Sequence, residues 1–193
     1  MSVRDGLLAI LTLGPAYGSQ LHAEFMGRAP HRKMVNVGQI YGTLERLAKQ
    51  DMVEAAGTTD DGLPLYTLTA SGRESAGEWM TGPVTAALPE WTEMLDQVLV
   101  ASTVDPAAAM TLAKGYRRWW ERDLKQAREA AANLEHDRRL ALLAREAQGV
   151  AALAWLSAAI SELTDFDTAR GLSPVRPKRG RRPSRDPAAG AIV

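Results

Sequence analysis

Asn36, Gln39, Thr43, Arg46 and Gln50 follow one another at spacings of three and four residues. A helix would place all five on one face. A face that is merely solvated more often carries Glu and Lys, whereas these are amides, a hydroxyl and a guanidinium. Side chains of this kind can pair with base edges in a major groove, where all four base pairs are distinguishable. Val37, Ile40, Leu44 and Leu47 form the opposite stripe, which would anchor the helix on a core, and Tyr41 lies beside it. Arg28, Arg32, Lys33 and Lys49 flank the polar face as candidate phosphate contacts, and from Arg28 to Gln50 five cations stand against one acid.

Other chemistry is missing. The chain has no cysteine, which excludes disulfides and thiolate chemistry together. His22, His31 and His136 are far apart, with no ligand-like spacing around them. No Gly-rich phosphate loop, nucleophile elbow or HExxH run occurs, so neither an enzyme nor a metal site nor a cofactor is expected. A second candidate site is aromatic. Trp91, Tyr116, Trp119 and Trp120 could line a pocket for a flat apolar ligand, or could be plain interface core.

These residues need elements to position them. Asp5 to Leu13 reads as a short buried helix stopped at Gly14-Pro15, because the residue before proline disfavours helix. Ser19 can cap a second helix, and Asn36 a third that ends near Asp51. Met52–Ala55 and Leu65–Leu68 read as strands joined by the Thr58–Pro64 loop, and Thr69 can cap a helix over Ala70–Met80. Trp91, Leu95, Val98 and Leu99 mark an amphipathic helix closed by Asp105-Pro106.

Residues 107–166 read as long helix with two apolar seams. One comprises Tyr116, Trp120, Leu124, Ala127, Ala131 and Leu134; the other comprises Leu153, Leu156, Ile160 and Leu163. Seams of this length pair with other helices, and one subunit has too few helices to cover them, so a homodimer is expected. From Gly171 the chain is rich in Pro, Arg and Gly and is expected to be disordered. Residues 174–193 hold six cations and one acid, which leaves the rest of a formally neutral chain at net −5. That tail is either a solvated extension or an arm for phosphates.

Three helices followed by a two-stranded hairpin describe a winged helix-turn-helix. The fold class expected is therefore mostly α. A winged-helix DNA-binding domain is expected over 1–82, a helical domain for dimerisation and effector binding over 83–170, and a disordered basic tail over 171–193.

The segments Leu7–Leu11, Gly14–Leu21, Val37–Leu47 and Leu65–Arg73 resemble the PadR family of transcriptional regulators. Ala154-Trp155-Leu156 is more loosely similar to the end of that family's helical block. The resemblance implies a homodimeric repressor whose C-terminal helices form the dimer and whose reading helices meet a palindrome in double-stranded DNA. It also implies a small aromatic or drug-like effector, and it makes Tyr41 a DNA contact. This chain departs from the pattern at Gly42, where proline is frequent, and at Asp51, where a glycine usually ends the helix. Its wing loop, Thr58-Thr59-Asp60-Asp61-Gly62, is acidic where the family is often basic.

A second reading stays open, in which the winged helix is a protein-interaction module with a ligand-binding helical half and no specific DNA binding. Salt-dependent binding to the chain's own promoter fragment separates the two. With 46% hydrophobic and 24% charged residues the composition is that of a globular protein. No run of 18 apolar residues is present, so no membrane partner is expected. With no leader pattern and no cysteine, the expected location is the cytoplasm.

Overall fold

The computed structural model describes residues 2–32, 34–82, 89–130 and 136–175. The elements run α1 (Ser2–Leu11), β1 (Ala16–Tyr17), α2 (Gly18–Arg28), α3 (Val37–Lys49), β2 (Val53–Thr58), β3 (Pro64–Leu68), α4 (Ala70–Thr81), α5 (Trp91–Val104), α6 (Pro106–Ala130) and α7 (His136–Asp165). The chain is thus mostly helical with one small antiparallel sheet, as the residue pattern implies.

Helix α1 lies at the centre. Leu7, Leu8, Ala9, Ile10 and Leu11 are all buried, which is why five apolar residues run without a polar interruption. Around it pack α2, α3, α4, β3 and α5. The sheet has the order β1-β3-β2, so the hairpin carries a third strand that the sequence pattern did not reveal. Ala16 pairs with Tyr66, and Tyr17 with Leu65. This strand also resets the start of α2. Tyr17 is its N-cap with no side-chain cap bond, so Ser19, the expected cap, lies inside the helix.

The other caps are side-chain caps. Asn36 Oδ1 accepts the Gln39 amide at 2.9 Å and opens α3. Thr69 Oγ1 accepts the Gly72 amide at 3.0 Å and donates to the Asp51 carbonyl at 2.6 Å, tying α4 to the end of α3. Asp51 takes the left-handed conformation, φ 55°, that the residue type tolerates better than most. Asp105 accepts the amides of Ala107 and Ala108 and opens α6, with Pro106 in the first helical position.

On α5 the inward face is Met94, Val98 and Ala101; of the expected stripe Val98 lies on that face, whereas Trp91, Leu95 and Leu99 are half-buried. Helices α6 and α7 pack as an antiparallel hairpin. Asp123 pairs with Arg145, and the Leu124 side chain occupies the space a Cβ would take at Gly149. Tyr116, Trp120, Leu124 and Ala127 are buried within the chain, and Leu153, Leu156, Ile160 and Leu163 also face its core. The described members of both seams therefore face the chain's own core, three of the α7 set (Leu153, Ile160 and Leu163) only partly buried there. Ala131 and Leu134 lie outside the described residues.

After α7 the chain turns back. Thr168 donates to the Ser102 carbonyl, Arg170 donates to the Gly27 carbonyl at 2.8 Å, and the Ser173 amide reaches Glu24 at 2.6 Å. Leu172 packs against the core near Gly14. The expected disorder from Gly171 therefore does not hold for 171–173, which are strapped to α2. Residues 176–193, with the six tail cations, lie outside the described residues. Among the described residues no helix is long and apolar enough to cross a membrane.

Candidate nucleic-acid interface

Helix α3 is held by one face. Ile40, Leu44 and Leu47 are fully or almost fully buried, whereas Val37, expected in the same stripe, is 42% exposed in the first turn. Gln39, Arg46, Lys49 and Gln50 stand exposed on the other side. With Val3, Arg4, Arg32, Thr43 and Leu47, three of them (Gln39, Arg46 and Gln50) line an open cleft of about 460 Å³ between the first turn of α1 and α3. Arg4 belongs to this cleft although nothing in the local sequence pattern singles it out.

Several expected contacts spend their groups on the fold. Asn36 is exposed, but its side-chain oxygen caps the helix. Thr43 is only 5% exposed; its hydroxyl donates to the Gln39 carbonyl at 2.8 Å and accepts from Arg46 Nη2 at 2.9 Å. Tyr41 is half-buried, with its ring over Gly18, where an added Cβ would sit 2.4 Å from Cε1. The glycine is thus what lets Tyr41 lock α3 onto the start of α2.

The flanking cations differ more sharply from expectation. Arg28 is buried. It bonds Glu24 through Nε and Nη2, Thr103 through Nη1, and the carbonyls of Arg170 and Gly171. Burial pulls its pKa down against the opposing pull of Glu24. It is a structural hub, not a phosphate contact. Arg32 grips Asp96 of α5 through Nε at 2.9 Å and Nη2 at 2.6 Å, and this pairing raises its pKa. Asp96 is fully buried, and His31 Nε2 lies 2.8 Å from its other oxygen. The turn between α2 and α3 is therefore fastened to α5, a link no local spacing announces. Lys33 lies outside the described residues, and Lys49 remains exposed at the end of α3.

The wing tip is self-contained. Thr59 Oγ1 donates to Asp61 at 2.6 Å and accepts the Leu63 amide, and Gly62 takes φ 78°.

None of the four aromatic candidates lines this cleft or the one between α4 and α6. Trp119 and Trp120 meet edge to face at 5.0 Å and are buried with Tyr116, whose hydroxyl bonds Gln97 and is pushed up to about 12 by burial. Trp91, half-buried, meets Trp155 of α7 edge to face at 6.2 Å. Trp155 was not among the expected pocket residues, because no short-range spacing joins it to Trp91.

Residues 7–78 match the PadR family, described as the transcriptional regulator PadR-like family. No curated protein matches the sequence. Among solved structures, PadR of Bacillus subtilis in complex with operator DNA is similar at 16% identity, covering 84% of this chain and 99% of that one, with a TM-score of 0.39. The same protein in complex with p-coumaric acid gives 16% identity, 86% and 100% coverage, and a TM-score of 0.37. The PadR-like regulator BC1756 from Bacillus cereus gives 19%, 84% and 98%, and 0.36.

Proposed function

Because residues 7–78 form a domain of the PadR-like transcriptional regulator family, we propose that this chain is a homodimeric repressor that reads a pseudo-palindromic operator through α3. One observation carries the reading. The apolar face of α3 is fixed by Ile40, Leu44 and Leu47, while Gln39, Arg46 and Lys49 stand free of the core on the opposite side. Gln39 and Arg46 read base edges, and Lys49 meets a phosphate. The acidic wing adds little, since Asp60 is exposed toward any backbone and Asp61 closes its own turn.

The dimer uses the outer face of α7. Leu140, Leu143 and Val150 are 60%, 52% and 54% exposed, and with the exposed Ala147 and Ala154 they recur at spacings of three, four, three and four. That is the repeat of a two-helix seam, and a second copy of α7 supplies its complement. Two-fold symmetry then sets half-sites about 10 bp apart, or a multiple. A small aromatic effector fits the half-buried Trp91–Trp155 pair better than Trp120, which is fully buried.

The test is a footprint and a salt titration on the DNA upstream of the chain's own gene. Arg46→Ala or Gln39→Ala should cost about 1–3 kcal/mol and relax preference at one base pair per half-site. Joint alanine replacement of Gln39, Arg46 and Lys49 with no change in affinity would remove α3 from the reading. Salt-independent binding, or none, would favour a protein-interaction module instead.

A further inference from the structure

Thr43 looks in the sequence like one more base-reading side chain, yet it is almost wholly buried and both sides of its hydroxyl are engaged. The proton goes to the Gln39 carbonyl one turn back, at 2.8 Å. That fixes the hydroxyl rotor, so a lone pair is turned toward Arg46, whose Nη2 donates to it at 2.9 Å. The helix backbone therefore sets the rotamer of an exposed guanidinium through a single buried oxygen.

Arg46 also differs from the other arginines around it. Arg4 pairs with Asp5, Arg28 with Glu24, and Arg32 with Asp96. Among the described residues no carboxylate pairs with Arg46. Its charge is not neutralised, and one of its five N–H donors is committed to Thr43. The rest suffice for the two-donor fork that matches O6 and N7 of guanine.

We infer that Thr43 is a positioning residue for Arg46: it holds the guanidinium ready to pair with a guanine in each operator half-site and does not itself touch DNA. The inference rests on the reading of α3 as the DNA-binding helix. A tethered fork has lost its rotamer freedom before binding, so the correct base meets less entropic cost. Misaligned bases gain nothing from the tether, so its loss blunts discrimination more than general affinity.

The experiment selects from a pool of random-sequence duplexes with the full-length chain and its variants, then measures affinity for the enriched sequence and for single-base changes. Wild type should enrich a guanine at symmetry-related positions, and Arg46→Ala should abolish that preference. Thr43→Val keeps the shape and removes the hydroxyl. It should lower discrimination at that guanine by about fivefold, the size of one ordinary hydrogen bond, with other positions and the salt slope unchanged. Thr43→Ser should restore it. Full guanine discrimination in Thr43→Val would overturn the inference, as would an even loss across all positions, the mark of a purely structural role. A wild-type chain that enriches no sequence would instead overturn the reading of α3, and the inference with it.

Discussion

The winged-helix head and the α6–α7 hairpin treat their apolar residues differently. In the head, α1 is enclosed by α2, α3, α4, β3 and α5, and the exposed side of α3 is mostly polar, with Val37 and Ala48 as its exposed apolar side chains. In the hairpin, the seam of α6 is enclosed, but α7 turns Leu140, Leu143 and Val150 outward. A layer of four or five elements can close around one central helix, whereas a two-helix hairpin has an outer face that no other described element covers here. On the function proposed above, the head holds α3 steady against DNA and the hairpin offers its outer face to a second copy.

Substitutions test that contrast. Phe25 is fully buried in the head, with its ring where a Cβ at Gly6 would fall. Phe25→Ala should cost about 3–5 kcal/mol in urea unfolding, at any protein concentration. A concentration-dependent loss would mean that the head is not closed on itself.

Asp96→Asn probes the joint between the regions. It leaves Arg32 and His31 facing a neutral amide where a buried carboxylate stood. Arg32 is only about a quarter exposed, so a loss of roughly 3 kcal/mol is expected, at the lower end for a broken buried pair. Operator affinity should fall for all sequences alike, because the turn before α3 loosens while its reading side chains remain. An unchanged Tm would show that the pair does not fasten the head to α5.

In the hairpin, Leu143→Glu with Val150→Glu should leave unfolding of the head nearly unchanged. Losing two apolar side chains from each copy's half of the proposed seam should weaken self-association at least a hundredfold. Sedimentation at micromolar concentration reads this directly. A double variant that still dimerises would move the interface off this face of α7.

The smallest effect is a gain. Gly42 has nothing within 4 Å of a built Cβ, so Gly42→Ala should stabilise α3 by about 0.5–1 kcal/mol. If the same change weakens operator binding, the groove wall approaches the helix backbone at that point.

Much of the head is legible from residue order because its signals are local. Asn36 and Thr69 cap helices within three residues, Asp51 ends α3 at φ 55°, and the strands of the wing flank their own turn. β1 is not legible, because two residues carry no periodicity and form a strand only where β3 offers an edge. With that strand in place, the chain enters α2 without needing Ser19. Of the candidate site, Gln39, Arg46 and Lys49 stand exposed, as the helical pattern implies. Thr43, Arg28 and Arg32 do not, since helical spacing tells which residues share a side but not which of them neighbours have already engaged.

The sequence by itself determined the helices of the head, the caps at Asn36 and Thr69, the wing turn and the polar side of α3, because each depends on groups a few residues apart. Only the tertiary structure decided that Asp96 would claim Arg32, that Arg28 would bind the returning strap at Arg170 and Gly171, and that the α6 and α7 seams would cover each other. The partners in those contacts lie from 25 to 143 residues apart along the chain. Burial, not spacing, selects them: a charge drawn into the interior must find a counter-charge or a carbonyl there, and an apolar seam must find another.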